Sequence, residues 1–273
     1  LGLVNETMAG SANVIYPQSM WDPAWSWAVE MQDPPFHNPH AVLINISLIQ
    51  PPYVTKPLYA VVVPTIILVS LVTNSLAFFV MGQKNLRTPT NVVLVTMAWS
   101  ELLTGVSSLP WSIYYLWQKI TPDHEMTDFW CSWHQVFALH LPAFFHTTSI
   151  WLTCYLAIQR FFFVFFPAFM IGYTNKTNLK FIIGIISWAI LSEIPKIFMK
   201  ILDNYPGKSG KMYCLQTHRE FIDWIIGFNN YNMYGYFYKL VFVHIVPCFL
   251  LVFFTIVLFV KIKLQEQKRK ELL

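Results

Sequence analysis

The sequence predicts an all-α membrane protein in which five helices cross a bilayer, and three observations support this. Only 12% of the 273 residues are charged, whereas soluble domains carry about 25%. Five long apolar runs alternate with polar connectors, and each run has the roughly 20 residues that a helix needs to cross the hydrocarbon core. The chain also has 23 Phe, 13 Tyr and 11 Trp, which suit lipid-facing surfaces and interfacial belts.

The predicted domains are a polar segment over residues 1–56, a membrane domain over 57–262 and a basic segment over 263–273. The membrane spans are predicted at about 57–82, 90–117, 128–160, 179–199 and 239–262. The small net charge of +4 gives no indication of a nucleic-acid partner. Because the first residue is Leu1 rather than Met, we expect the chain to be a fragment of a longer protein.

Polar residues inside the first two spans are candidates for function. Between Lys56 and Lys84 there is no charged residue, but Asn74 lies in this run. Glu101 is the only charged residue of the second span. A carboxylate at bilayer depth is costly, so we expect it to face the protein interior and to be paired, protonated or ion-bound. The alternative is a purely structural polar contact between helices.

The third and fourth spans carry charges at their ends. Between Asp128 and Arg160 there is no Lys, Arg, Asp or Glu. The simplest interpretation of Arg160 is an interface anchor, because its guanidinium can reach the water at the headgroups. Near the end of the fourth span, Glu193 and Lys196 are three residues apart and can pair on one helix face. A long loop over about residues 200–238 precedes the fifth span.

The connectors predict the orientation in the membrane. Residues 83–90 carry two bases and no acid, and residues 160–180 carry three bases and no acid. By contrast, residues 118–130 carry one base and three acids. Because short basic connectors stay on the cytoplasmic side, we place the N-terminus outside the cell. The sequons at Asn5 and Asn45 then predict N-glycosylation.

The four cysteines allow at most one bridge between loops. Cys131 and Cys214 lie in polar segments, whereas Cys154 and Cys248 lie in apolar runs. We expect the last two to be buried helix residues.

Marker residues in five successive spans give the sequence a family resemblance. They are Asn74, Glu101, Cys131, the run Gln159-Arg160-Phe161, Trp188 and Pro247. In this order and spacing they resemble the first five helices of the seven-helix bundle of rhodopsin-like G-protein-coupled receptors, with Gln159 where Asp is usual. The runs His146–Thr153 and Phe242–Cys248 resemble the invertebrate neuropeptide receptors of the FMRFamide, myosuppressin and sex-peptide type.

The resemblance implies a function and a set of sites. It implies a plasma-membrane receptor for a neuropeptide, expected to be C-terminally amidated, that signals through a heterotrimeric G protein. Gln159, Arg160 and Phe161 would couple to the G protein, and Cys131 would form a disulfide with Cys214. Asn74 and Glu101 would form an intramembrane polar site that holds Na⁺. The ligand pocket would include Trp111, Tyr114, Trp133, Phe137 and Glu193.

Three other interpretations were weighed. In a transporter or channel, Glu101 would lie on the ion path, but the sequence has no internal repeat and no second intramembrane acid. An enzyme is not indicated, because we find no nucleophile–base pair, metal-ligand spacing or phosphate loop. A truncated receptor isoform is compatible with the resemblance. Because the sixth and seventh helices are absent from the sequence, we expect the chain alone not to signal.

Overall fold

The computed structural model of the chain describes residues 42–43, 57–117, 127–206, 212–218 and 228–271. Five long helices dominate these residues, and each is long and apolar enough to cross a membrane. The predicted all-α membrane fold with five spans is therefore confirmed. The predicted glycosylation sites Asn5 and Asn45 lie outside the described residues.

We name the helices α1 to α5 in chain order. Two are continuous α-helices: α2 spans Pro89–Trp117 and α4 spans Asn175–Met199. The other three combine α-helical and π-helical segments. They are α1 (Leu58–Val62 and Val63–Met81), α3 (Asp128–His134, Gln135–His140 and Leu141–Phe165) and α5 (Phe228–Tyr238, Lys239–Ile245 and Val246–Glu271).

Three helices extend beyond the predicted spans. Helix α3 continues past Arg160 to Phe165, α4 begins at Asn175, and α5 begins at Phe228 rather than near residue 239. The predicted bounds followed the apolar runs, but a helix can continue into polar sequence where its end is capped. At the start of α4 the Oγ1 of Thr174 accepts a hydrogen bond of 3.4 Å from the backbone N–H of Thr177, as an N-cap residue does.

Each π-helical segment precedes a proline in the first turn of the α-helical segment that follows it. The three prolines are Pro64, Pro142 and Pro247. Proline lacks an N–H, and its ring clashes with the carbonyl four residues earlier. The π-helical turns, with hydrogen bonds that span five residues, thus lie next to three prolines, whereas Pro110 and Pro195 lie inside continuous α-helices.

The predicted loop between α4 and α5 contains a β-hairpin. Strand β2 (Lys200–Pro206) pairs antiparallel with β3 (Met212–His218), with Asn204 opposite Cys214. The short strand β1 (Val42–Leu43) pairs with the other edge of β3, which gives the order β1-β3-β2. The hairpin places Cys214 in the central strand of this sheet.

Helix α3 lies at the centre of the bundle and packs against α2, α4 and α5. The core includes Val93 of α2, Leu152 of α3 and Ile182 of α4, all at most 2% exposed. Helix α1 packs on α2 close to Gly105, where an added Cβ would lie 3.3 Å from Cδ2 of Leu71. Many large apolar side chains remain exposed on the outside of the bundle, as expected of surfaces that face lipid.

Candidate functional site

The central helix α3 has two chemically different ends. We call the end near Cys131 the cysteine end and the end near Arg160 the arginine end. The predicted site residues are distributed along α3 and its neighbours between these ends.

At the arginine end, the three residues of the Gln-Arg-Phe motif point in different directions. Arg160 is exposed, whereas Gln159 is 3% exposed. The Nε2 of Gln159 donates a hydrogen bond of 3.2 Å to Oδ1 of Asn178 on α4. Phe161 contacts Phe254 of α5, with 5.3 Å between the ring centroids. The motif therefore joins α3 to α4 and α5, while its arginine faces solvent.

Asn178 is the centre of a buried polar cluster at the arginine end. Its side chain is fully buried, and Oδ1 also accepts hydrogen bonds from the hydroxyls of Tyr155 (2.8 Å) and Tyr173 (3.0 Å). Its Nδ2 donates to the backbone carbonyl of Pro89 at 2.8 Å. We call Asn178, Tyr155, Gln159, Tyr173 and the Pro89 carbonyl the Asn178 cluster. It connects α2, α3, α4 and the connector between α3 and α4.

In the middle of the bundle, Glu101 contacts α3. The hydroxyl of Ser149 donates a hydrogen bond of 2.9 Å to Oε1 of Glu101. Asn74 donates to Ser70 on its own helix at 3.1 Å instead. Glu101 and Asn74 nevertheless line the same groove of about 380 Å³ between α1 and α2. Carboxylate, amide and hydroxyl oxygens are suitable ligands for a hard cation, so these residues fit such an ion.

Near the cysteine end, Glu193 lies in a charged cluster. Its carboxylate is 2.5 Å from Nζ of Lys196, so the predicted helix-face pair is present, and 3.5 Å from Nδ1 of His140 on α3. Glu193 is 4% exposed. The Nε2 of His140 is buried and has no hydrogen-bond partner within the described ranges. The ammonium of Lys196 balances the charge of this buried carboxylate, and the imidazole of His140 adds a contact from α3.

The predicted aromatic residues of the ligand pocket face two directions. Trp133 and Phe137 are one turn apart, with 5.5 Å between the ring centroids and the rings tilted by 35°, and Trp133 is 43% exposed. His134 points the other way and contacts Trp111 of α2 edge to face at 4.1 Å. Tyr114 lies in α2 one turn beyond Trp111.

The cysteine end is joined covalently to the sheet. Cys131 and Cys214 form a disulfide with a Cα–Cα distance of 5.5 Å, and both residues are buried. Cys154 is buried as expected, and its thiol donates to the carbonyl of Pro247 at 3.7 Å. The expectation for Cys248 was wrong, because this residue is exposed.

Sequence reasoning missed Ser149, His140 and Asn178 as site residues. Ser149 and His140 lie in a long apolar helix, and their partners are 48 and 53 residues away in the sequence. Asn178 lies in the polar run Asn-Lys-Thr-Asn, which is typical of a connector. Hydroxyls and amides are common in such segments, so no signal in a single sequence distinguishes these residues. Among the described residues, no group of three or more His, Cys, Asp or Glu side chains could hold a metal ion.

These features define the class of the protein. A central membrane helix with an arginine motif near one end and a disulfide to a β-hairpin at the other is typical of rhodopsin-like G-protein-coupled receptors. The chain belongs to the Srw family of serpentine-type seven-transmembrane G-protein-coupled chemoreceptors, because the model of that family matches residues 61–273. The resemblance inferred from the marker residues is confirmed.

Individual relatives agree with this assignment. The chain is 30% identical to the sex peptide receptor of Drosophila melanogaster over 233 residues, which are 83% of this chain and 53% of that protein. It is 32% identical to the sex peptide receptor-related protein 2 of Caenorhabditis elegans over 142 residues, 51% of this chain and 32% of the relative. A human putative trace amine-associated receptor 3 is 32% identical over 93 residues, 34% of this chain and 24% of the relative. The chain thus spans about half the length of the first relative and less of the others.

Proposed function

We propose that this chain is part of a plasma-membrane receptor that binds a neuropeptide outside the cell and activates a heterotrimeric G protein inside it. The proposal rests on one observation: Arg160 is exposed, whereas the neighbouring Gln159 donates a hydrogen bond to Asn178 of α4. The name of the Drosophila relative, sex peptide receptor, supports a peptide as the ligand class.

We place the cysteine end outside the cell and the arginine end in the cytoplasm. The connectors next to the arginine end carry only basic charges, which favours the cytoplasmic side. The disulfide at the other end suits an oxidising compartment. In this orientation the polar segment 1–56 is extracellular, and Asn5 and Asn45 are available for glycosylation.

The proposed surface for the G protein combines Arg160 with the connector that follows α3. In this connector Phe169 is 79% exposed and Ile171 is 86% exposed. Large apolar side chains on a connector outside the spans indicate a contact surface for another molecule. Gln159 and Phe161 hold the end of α3 in place through Asn178 and Phe254. A guanidinium flanked by apolar groups suits a protein partner, because arginine and aromatic residues carry much of the energy of protein interfaces.

The proposed ligand site at the cysteine end favours a peptide with a neutral, amidated C-terminus. Glu193 already has Lys196 and His140 as partners, so neither Glu193 nor Lys196 is available to a ligand without breaking a buried pair. Trp133 and Phe137 supply aromatic surface for apolar side chains of the ligand, and Trp111 and Tyr114 remain predicted members of this site. Transfer of a neutral amide from water into such a site costs less free energy than transfer of a carboxylate.

Glu101 is the residue that we propose for a Na⁺ site, with Ser149 and Asn74 beside it. Na⁺ bound there would raise the thermal stability of the receptor by mass action. The test compares melting temperatures in NaCl and in choline chloride at equal ionic strength, for the native protein and for Glu101→Gln. A stabilisation by Na⁺ that survives in Glu101→Gln would contradict this assignment.

The function is tested with the full-length receptor that contains this chain. Purified receptor in nanodiscs is mixed with G proteins of the main classes, and nucleotide exchange is measured with a panel of neuropeptides, each in amidated and free-acid form. We expect one amidated peptide to stimulate exchange and its free acid to be at least about tenfold weaker, which corresponds to 1.4 kcal/mol.

Two variants separate coupling from folding. Arg160→Gln is expected to abolish most of the stimulated exchange while ligand affinity stays within about twofold, because the two sites lie at opposite ends of α3. Arg87→Gln, an exposed arginine of another connector, is the matched control. If no peptide stimulates exchange with any G protein and the receptor instead passes ions across a vesicle membrane, the transporter or channel alternative replaces this proposal.

A further inference from the structure

We propose that Asn178 is a positioning residue for G-protein coupling: it ties the connector between α3 and α4 to the arginine end of α3. This inference rests on the proposed function and assigns a further residue to its cytoplasmic site. The side-chain hydrogen bonds of Asn178 go to neither Arg160 nor the exposed Phe169 and Ile171. The role of Asn178 is to hold the segments that contain these residues.

The side chain of Asn178 forms hydrogen bonds with three different parts of the bundle. One oxygen accepts from Tyr155 and Gln159 of α3 and from Tyr173 of the connector, at 2.8 to 3.2 Å. The amide nitrogen donates to the carbonyl of Pro89 at the start of α2. Because the residue is completely buried, water cannot replace these partners, and each lost hydrogen bond leaves a buried polar group unsatisfied.

The two tyrosine hydroxyls also contact each other. Each hydroxyl has only one proton, so when one tyrosine donates to the other, only the second donates to Asn178. The three groups therefore form a small network that links Tyr173 of the connector to Tyr155 of α3 both directly and through Asn178. Such a network stabilises one arrangement of its members more than isolated pairs do.

This arrangement fixes both parts of the proposed coupling surface. It holds Gln159 towards α4, on the side of the helix away from the exposed Arg160. It also holds Tyr173, which ends the connector that exposes Phe169 and Ile171. A connector held in one conformation loses less entropy when it binds a partner. Asn178 thus contributes to coupling without contacting the G protein.

The experiment compares two asparagines in the first turn of α4. In the full-length receptor, Asn178→Ala removes the centre of the cluster. Asn175→Ala is the matched control, because Asn175 is exposed and its side chain donates a long hydrogen bond, of 3.4 Å, to the carbonyl of Arg87. Three quantities are measured: ligand affinity, ligand-stimulated nucleotide exchange, and amide hydrogen exchange of residues 166–174 without ligand.

We expect Asn178→Ala to lower the rate of stimulated nucleotide exchange about three- to tenfold, because net hydrogen-bond contributions correspond to factors of this order. Ligand affinity should stay within about twofold, and amide hydrogens of residues 166–174 should exchange faster. Asn175→Ala should change none of the three quantities.

A second variant keeps the test valid if Asn178→Ala does not fold. Tyr173→Phe removes one hydroxyl and retains the ring, so it should give a smaller decrease of about two- to threefold in nucleotide exchange. Tyr236→Phe, an exposed tyrosine of α5, is its control. Unchanged nucleotide exchange in Tyr173→Phe, or unchanged amide exchange in residues 166–174, overturns the inference while the receptor function stands. A native receptor that stimulates no G protein overturns the proposed function, whatever the amide exchange shows.

Discussion

The two ends of α3 are held to their neighbours by different kinds of interaction. At the cysteine end, a disulfide joins Cys131 to strand β3, and the imidazole of His140 lies 3.5 Å from the carboxylate of Glu193 on α4. At the arginine end, the Asn178 cluster consists only of amides, hydroxyls and a backbone carbonyl. The cysteine end is fixed by a covalent bond and a contact with a buried carboxylate, whereas the Asn178 cluster holds the arginine end by neutral hydrogen bonds, beside the ring contacts of α3 with α5.

This difference separates a permanent attachment from a reversible one. A disulfide does not break during a conformational change in an oxidising environment. Neutral hydrogen bonds contribute only about 0.5–1.5 kcal/mol each, so a partner that supplies new contacts can change their arrangement. The arginine end is therefore the end suited to rearrangement, and the cysteine end provides a fixed frame for a ligand.

The largest expected effect is the loss of the disulfide. Cys131→Ser should destabilise the receptor by about 2–4 kcal/mol, because the bond closes a long loop and limits the unfolded chain. The two cysteines are 83 residues apart in the sequence. The measurement is the apparent melting temperature of purified receptor in nanodiscs, with and without reductant.

Cys248→Ser is the control for this prediction, because Cys248 is a free and exposed cysteine. Cys248→Ser should have the same apparent melting temperature as the native protein. If Cys131→Ser melted at the same temperature as Cys248→Ser, the disulfide would not be the fixed attachment of the cysteine end.

A smaller effect is expected when the charged cluster is broken. Glu193→Gln keeps the size of the side chain but removes the charge that His140 and Lys196 share. Hydrogen bonds to charged groups contribute about 1.5–3 kcal/mol, so we expect a destabilisation within this range. Because Glu193 is buried, added salt should change the difference little.

Glu266→Gln is the matched control for the charged cluster. Glu266 lies 3.1 Å from Lys270 on α5, but its side chain is 51% exposed. Exposed ion pairs are screened and contribute little to stability. This variant should therefore have the melting temperature of the native protein at every salt concentration. Equal melting temperatures for Glu193→Gln and Glu266→Gln would show that the cluster at the cysteine end does not stabilise the fold.

The sequence was sufficient to predict contacts that depend on helix periodicity. The five spans followed from the apolar runs, and the pairing of Glu193 with Lys196 followed from a spacing of three residues. The disulfide between Cys131 and Cys214 was expected from the family resemblance. These features need only a local rule or a known pattern.

Contacts between different helices were not predictable in the same way. The pairing of His140 with Glu193 and the burial of Asn178 depend on how each helix is rotated and how far it is shifted along its neighbour. Several such arrangements satisfy the same apolar pattern. The π-helical segments of α1, α3 and α5 shift this rotation further, because each adds a residue to one turn. A proline follows each of these segments, but Pro110 and Pro195 lie inside continuous α-helices, so a proline in the sequence does not locate a π-helical segment.

The smallest expected effect concerns Gln159, and it distinguishes the centre of the Asn178 cluster from its periphery. Gln159→Met keeps the length of the side chain and removes both polar atoms. Nε2 then no longer donates to Asn178, which costs about 0.5–1.5 kcal/mol. However, Oε1 of Gln159 is buried and has no hydrogen-bond partner in the described part of the chain. Removing such an unsatisfied atom stabilises the folded protein by about 1–3 kcal/mol. The net change in the free energy of unfolding should therefore be within about 1 kcal/mol of zero or stabilising.

The melting temperature of Gln159→Met should therefore equal or exceed that of the native receptor, whereas Asn178→Ala should melt clearly lower. Unlike Gln159, Asn178 uses both polar atoms of its side chain in hydrogen bonds. Removing this side chain leaves Tyr155, Tyr173 and the Pro89 carbonyl with fewer partners. If Gln159→Met were as destabilised as Asn178→Ala, Gln159 would be as important to the cluster as Asn178. The arginine end would then depend on the motif residue itself, and less on the asparagine of α4.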